Sequence, residues 1–163
     1  MMNFKLASFS TSFLLLASCS TFFEADSFEC KRNILYKAID QDRLITDIYI
    51  PKSPGLKPAI IVAHGGGWRF HSGDMEKLSE RLAKEGFVVF NIRYRLLPKN
   101  QFPKALEDVQ DSIRWAKEHA SEYQVDPNKM YAWGYSAGAH LILLAGLNPQ
   151  SGLHGLVGGG ALG

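Results

Sequence analysis

The chain alternates between short apolar runs and segments whose apolar residues recur every three or four positions. "AIIVAH" (59–64) and "FVVFNIRY" (87–94) are nearly continuous apolar runs, the pattern of strands buried on both faces of a parallel sheet. "NILYKAID" (33–40) and "RLITDIYI" (43–50) are rich in β-branched and aromatic residues around an Asp-Gln-Asp turn, which predicts an opening hairpin. In "DMEKLSERLAKEG" the apolar positions Met75, Leu78, Leu82 and Ala83, with a stop at Gly86, predict a helix. Phe102, Leu106, Val109, Ile113 and Ala116 predict a second, amphipathic one. "QVDPNK" reads as a turn, "MYAWGY" as a strand, "SAGAHLILLAGL" as a buried helix and "LHGLVGGGALG" as the start of one more strand. Strand–helix alternation of this kind predicts the α/β class: a mostly parallel sheet with helices on both faces.

Composition changes this picture little. With 163 residues, 46% of them hydrophobic, the chain has the size and core material of one domain. Its formal net charge of +2, with both signs interspersed, gives no reason to expect a nucleic-acid partner. Repeats, low-complexity tracts and 18-residue apolar runs are absent from the sequence, which argues against a membrane-spanning helix. No Cys/His spacing suggests a metal site, and no motif implies an organic cofactor.

The first 18 residues differ in kind. Lys5 precedes an apolar and Ser/Thr-rich run peaking at Phe13–Ala17, and no acidic residue comes before Glu24; this is the layout of a bacterial export signal. "LASC" (16–19) resembles the lipobox of bacterial lipoproteins, which implies a signal peptide over 1–18, lipidation at Cys19, and a membrane association made by that anchor alone. The Ser20 that follows points to an outer-membrane lipoprotein of the cell envelope, facing the periplasm or the surface. The alternative is a generic signal in which Cys19 is incidental, leaving it free to bridge Cys30, the other cysteine of the chain. Residues 19–31 read as a polar tether and residues 32–163 as part of a folded domain.

Two motifs carry chemistry. In "GYSAG" (134–138) the glycines flank Ser136 where a strand turns sharply into a helix, a geometry that exposes the serine oxygen beside free helix N-terminal amides. "HGGGW" (64–68) follows a buried strand, and three glycines there let backbone N–H groups face a ligand, as a tetrahedral oxyanion requires. The loop lacks the Gly-Lys-Ser/Thr ending of a phosphate-binding P-loop.

On these residues, and on "YRLLPKNQFPKALEDVQDSIRWAKEHASEYQVDPNKMYAWGYSAGAHL", the chain resembles the α/β-hydrolase superfamily. The similarity is to its HGGG-type esterase/lipase branch, which includes hormone-sensitive-lipase-like and feruloyl-esterase-like enzymes, and it covers residues 32 to about 160. The resemblance implies an α/β-hydrolase fold and hydrolysis of small carboxylic esters, with Ser136 as nucleophile and the amides of Gly66, Gly67 and Ala137 as the oxyanion hole. "SAGAHL" and Trp68 also look like bacterial arylformamidases, which keeps amide substrates open, as does the existence of peptidases with the same fold.

In this fold the nucleophile is followed by an Asp or Glu and then by a His. Residues 137–163 contain neither Asp nor Glu, and the last acidic residue is Asp126. Among the five histidines, His64 is expected to order its loop and His71 and His119 to lie on loops or surface. His140 is expected to pack inside a buried helix, and His154 is the other histidine after Ser136. The reading is therefore of a C-terminally truncated esterase with an incomplete sheet, inactive as it stands. A non-catalytic, lipid-anchored protein that keeps an esterase-like pocket for binding is the alternative.

Overall fold

The computed structural model describes residues 27–73 and 75–159. Six strands form one sheet: β1 (Phe28–Ile39), β2 (Asp42–Pro51), β3 (Lys57–Ala63), β4 (Val88–Ile92), β5 (Val125–Tyr135) and β6 (Gly155–Gly159). Their order in space is β1-β2-β4-β3-β5-β6. β2 is antiparallel to both β1 and β4, and every pairing from β4 to β6 is parallel. Three helices connect the parallel strands: α1 (Met75–Lys84), α2 (Lys104–Glu118) and α3 (Ala137–Gly146). This is the α/β hydrolase fold expected from the sequence.

Side chains alternate across the sheet with period two. On β3, Ile60 and Val62 face α1 in a core with Tyr49, Met75, Ala83 and Val89. Ala59, Ile61 and Ala63 face the other way, into the larger core built with α2 and α3. β3 is thus buried on both faces, which is why its sequence is a continuous apolar run rather than an alternating one.

Four local expectations change. β1 begins at Phe28, inside the segment read as a tether, because Phe28 packs its ring on Tyr49 and Cys30 is partly buried beside it. The "DPNK" turn lies within β5 as a bulge: Lys57 pairs with Val125 and Ala59 with Met130, so residues 126–129 are looped out. Phe102 is 69% exposed and precedes α2 instead of joining its apolar face. Apart from His140, α3 is apolar all round yet only half-buried, with Leu141, Ile142 and Ala145 inward and Leu143 exposed; Leu147, its C-cap, is exposed too. Residues 1–18 and Cys19, the proposed signal and lipidation site, lie outside the described residues.

Candidate active site

The two motifs meet at the C-terminal ends of neighbouring parallel strands, β3 and β5, where Ala63 pairs with Gly134. Ser136 lies between β5 and α3 at φ 50°, ψ −113°, a conformation that costs a non-glycine residue about 1–3 kcal/mol. Its amide donates to Gly159 O on β6 at 2.6 Å, and its carbonyl accepts from His140 N at 3.1 Å. Its side chain does not cap the helix, although serine is a favoured cap residue, and it is exposed.

The flanking glycines are required by close approach. A Cβ on Gly138 would lie 2.3 Å from Ala63 O and 2.4 Å from His64 O, so the first turn of α3 rests on the end of β3. A Cβ on Gly134 would lie 2.5 Å from Ala139 N and from Gly138 O, because the helix folds back over the strand. All of these atoms are backbone and have no rotamer by which to yield.

The glycine turn stands beside this elbow. Gly65 pairs with Ser72 through two backbone hydrogen bonds (3.1 and 3.2 Å), and Gly66 O accepts from Arg69 N (3.0 Å) and Phe70 N (3.2 Å). Gly66, at φ 113°, passes so close to Phe70 that a Cβ would overlap its carbonyl. Gly67 (φ 55°) and Trp68 (φ 60°) continue in the left-handed region, Gly67 in open space. Among the described residues the amides of Gly66, Gly67 and Ala137 have no hydrogen-bond partner, and α3 begins without a side-chain cap. Unpaired N–H groups at a helix start and on a glycine turn are what an anion or developing oxyanion needs.

His64 orders this turn. It is 4% exposed, its ring stacks on Tyr94 at 4.2 Å, and Nδ1 lies 2.7 Å from Gly65 O. A carbonyl accepts only, so Nδ1 carries the proton and the buried, unpartnered Nε2 is bare. Burial pushes the imidazole down to about 4, which keeps it neutral across the physiological range.

No ring of the remaining histidines is hydrogen-bonded to Ser136. His71 lies 4.0 Å from the His64 ring, and His119 stacks on Trp115 while Nδ1 meets Trp115 O at 2.8 Å. His154 precedes β6; its amide donates to Met130 O at 2.7 Å and its ring lies 6.4 Å from Tyr131. Tyr131 is five residues before Ser136 on β5, which places His154 roughly 16 Å from the elbow at about 3.3 Å per residue. His140 corrects the sequence reading. It is exposed rather than packed in a core, with its ring edge-on to Trp68 at 5.4 Å, because α3 presents one face to solvent.

His140 and Trp68 flank a groove of about 340 Å³ completed by Leu97, Asn100, Gln101 and Phe102, with no charged side chain in its lining. A second cleft, of about 500 Å³, is lined by His64 and His71 together with Arg32, Asp47, Glu76 and Arg93. The uncharged groove is the one that adjoins both motifs, through the Trp68 of one and a helix turn from the other.

Sequence reasoning missed the residues behind the glycine turn. Tyr94 OH donates to His64 O at 2.8 Å, and Leu97 N donates to Trp68 O at 2.7 Å. Between them Arg95 is paired with Asp108, which is fully buried on α2. One signal was available: Asp108 falls inside the buried stripe Ala105, Val109, Ser112, Ile113 and Ala116, where an unpaired carboxylate would be costly.

The BD-FAE family model matches residues 46–158, more than half of the chain and the whole of both motifs. The chain belongs to the BD-FAE family. Among relatives of this BD-FAE chain, esterase LipC of Mycobacterium tuberculosis is 34% identical over 121 residues, covering 72% of this chain and 30% of that protein. The probable isoprenylcysteine alpha-carbonyl methylesterase ICME of rice (Oryza sativa subsp. japonica) is 37% identical over 117 residues, covering 70% and 28%. The native structure of Est2, a thermophilic esterase of Thermogutta terrifontis, superposes with TM-score 0.63 at 33% identity, over 72% of this chain and 43% of that one. The same esterase phosphorylated by paraoxon aligns over 83% and 58%, with TM-score 0.68 at 27% identity. The chain thus spans about 30% of the length of the curated relatives it matches. Its family is one of carboxylic ester hydrolases.

Proposed function

We infer that the chain carries the nucleophile and oxyanion-binding half of a carboxylesterase site, with Ser136 as nucleophile and the amides of Gly66, Gly67 and Ala137 as oxyanion donors. The observation that carries this reading is the conformation of Ser136. It is held at a costly positive φ, exposed and not used as a cap, beside three unpartnered amides on two adjoining strand ends.

In the reaction Ser136 Oγ forms a bond to the ester carbonyl carbon, and the carbonyl π electrons move to oxygen. The donors above stabilise that oxygen. Collapse then expels the alkoxide, which takes up a proton, and leaves an acyl-serine for water to cleave. The Oγ proton needs a base, and none of the described histidines reaches it. Residues 137–163 also offer no carboxylate to orient a base. Residues 1–163 alone are therefore inactive or nearly so, because triad members act as a unit. Hydrolysis of p-nitrophenyl acetate by these residues alone, abolished by Ser136→Ala, would overturn that statement.

The uncharged lining of the groove that runs past Trp68 and His140, a helix turn from the serine, supports a small uncharged ester. Amide cleavage is the second reading, supported by 35% identity over 117 residues to arylacetamide deacetylase of Bos taurus. Parallel assays of phenyl acetate and acetanilide on a chain that contains these residues and shows turnover separate the two. We also infer export and lipid anchoring at Cys19 in the bacterial envelope; alkynyl-palmitate labelling lost in Cys19→Ala tests it.

A further inference from the structure

We propose that Asp108, acting through Arg95, positions the Gly65–Trp68 turn, so that a buried carboxylate on α2 sets where the turn's amides point. The functional half of this proposal rests on the esterase reading above.

Asp108 is fully buried, and its acceptor sites are filled. Oδ2 accepts from Arg95 N at 3.0 Å and Arg95 Nε at 2.8 Å, while Oδ1 accepts from Arg95 Nη2 at 2.7 Å and Lys37 Nζ at 2.9 Å. The guanidinium fork and one backbone amide are thus gripped together. Charge-assisted bidentate bonds of this kind fix orientation as well as position. Arg95 Nη2 also donates to Lys104 O at 3.3 Å, which ties the fork to the first residue of α2.

What is gripped is not part of a strand. β4 ends at Ile92, and Arg95 stands between two residues that bond to the glycine motif. One residue before it, Tyr94 donates to His64 O and lays its ring on the imidazole; two residues after it, Leu97 N donates to Trp68 O. Trp68 sits at φ 60°, a left-handed conformation that a non-glycine residue keeps only when its surroundings impose it. The segment 94–97 imposes it, and Asp108 places that segment. A purely stabilising ion pair would tie two regular elements together. Lys37 of β1 makes such a tie to Asp108, whereas Arg95 ties the helix to the loop that clamps the turn.

The test is amide hydrogen exchange on the 15N-labelled chain, which needs no turnover. Asp108→Asn should speed exchange at Gly65, Arg69 and Leu97 at least tenfold more than at Ile61 and Ala132 in the centre of β3 and β5. Ile113→Ala opens a cavity on the same helix beside Ala145, away from the turn, and should speed turn and strand amides by one common factor. If Asp108→Asn behaves as Ile113→Ala does, the pair is only a stability element and the proposal falls. Arg95→Lys keeps the charge but loses the fork and should give a smaller rise confined to the turn. It serves where Asp108→Asn does not fold, and a rise shared equally with the strands sinks the proposal there too. In an extended, active chain, Asp108→Asn should lower kcat about tenfold with KM nearly unchanged, while Ile113→Ala leaves kcat per folded molecule unaltered. If that chain shows no esterase activity the function fails, and the exchange result still decides the positioning.

Discussion

The elbow at 134–138 and the glycine turn at 64–68 stand at the ends of adjacent strands, but they are held in different ways. The elbow is locked by backbone against backbone: Gly138 rests on Ala63 O and His64 O, and Gly134 on the first turn of α3. The turn's own crowding is internal, Gly66 against Phe70, and its place on the sheet is set by side chains and one amide from residues 94–97. One half of the site is rigid because there is no room, the other because distant groups hold it. Substitutions should therefore fail in different ways in the two halves.

The largest effect is expected at the elbow. Gly138→Ala places a methyl group against carbonyl oxygens that cannot rotate away, and should cost about 3 kcal/mol or more in urea denaturation. A cost under about 1 kcal/mol would show that the elbow is as adaptable as the turn.

Acid should act on the turn first. The folded pKa of His64 is depressed to about 4 against an ordinary 6.5, so the folded state binds fewer protons than the unfolded one. Its contribution is fully present above pH 6.5 and is lost as pH falls towards 4, amounting to about 2–3 kcal/mol at pH 4.5 relative to pH 7.5. His71, also lowered by burial, adds in the same direction. His64→Asn should remove most of this slope between the two pH values; an unchanged slope would place the titration elsewhere.

A smaller effect is expected from Tyr94→Phe, which removes the hydrogen bond to His64 O while keeping the stacked ring. It should cost about 1 kcal/mol of stability. A comparably small effect is expected from Gly67→Ala. A Cβ there meets open space, so only the left-handed backbone is penalised, by about 1 to 2 kcal/mol. If Gly67→Ala costs as much as Gly138→Ala, the contrast between the two halves fails.

The same contrast explains what could be read from the sequence. The elbow's requirements are local: two glycines and a serine at fixed spacing between a strand and a helix. The sheet was legible for a similar reason, since burial on both faces makes β3 and β4 continuous apolar runs. The exposed side of α3 was not legible, because an all-apolar helix carries no period to show which face is covered, and His140 was misplaced with it. Nor were the supports of the glycine turn, since Tyr94, Arg95 and Asp108 lie 30 to 44 positions from His64 and only the fold brings them to it. Asp108 left a trace, an acid inside an apolar stripe, whose partner the sequence did not name.

The strand order has a kinetic consequence. β2 and β3 follow each other along the chain, yet β4 lies between them, and β3 pairs with β5 only after the chain has travelled from Ala63 to Gly134. Closing a loop of that size costs roughly 4 kcal/mol in chain entropy before the parallel pairing returns anything. Parallel, non-local pairings of this kind are slow to form and leave apolar strand edges uncovered meanwhile. Serine and glycine turn therefore become neighbours late in folding, and the strands that carry them are the segments most exposed to mispairing until they do.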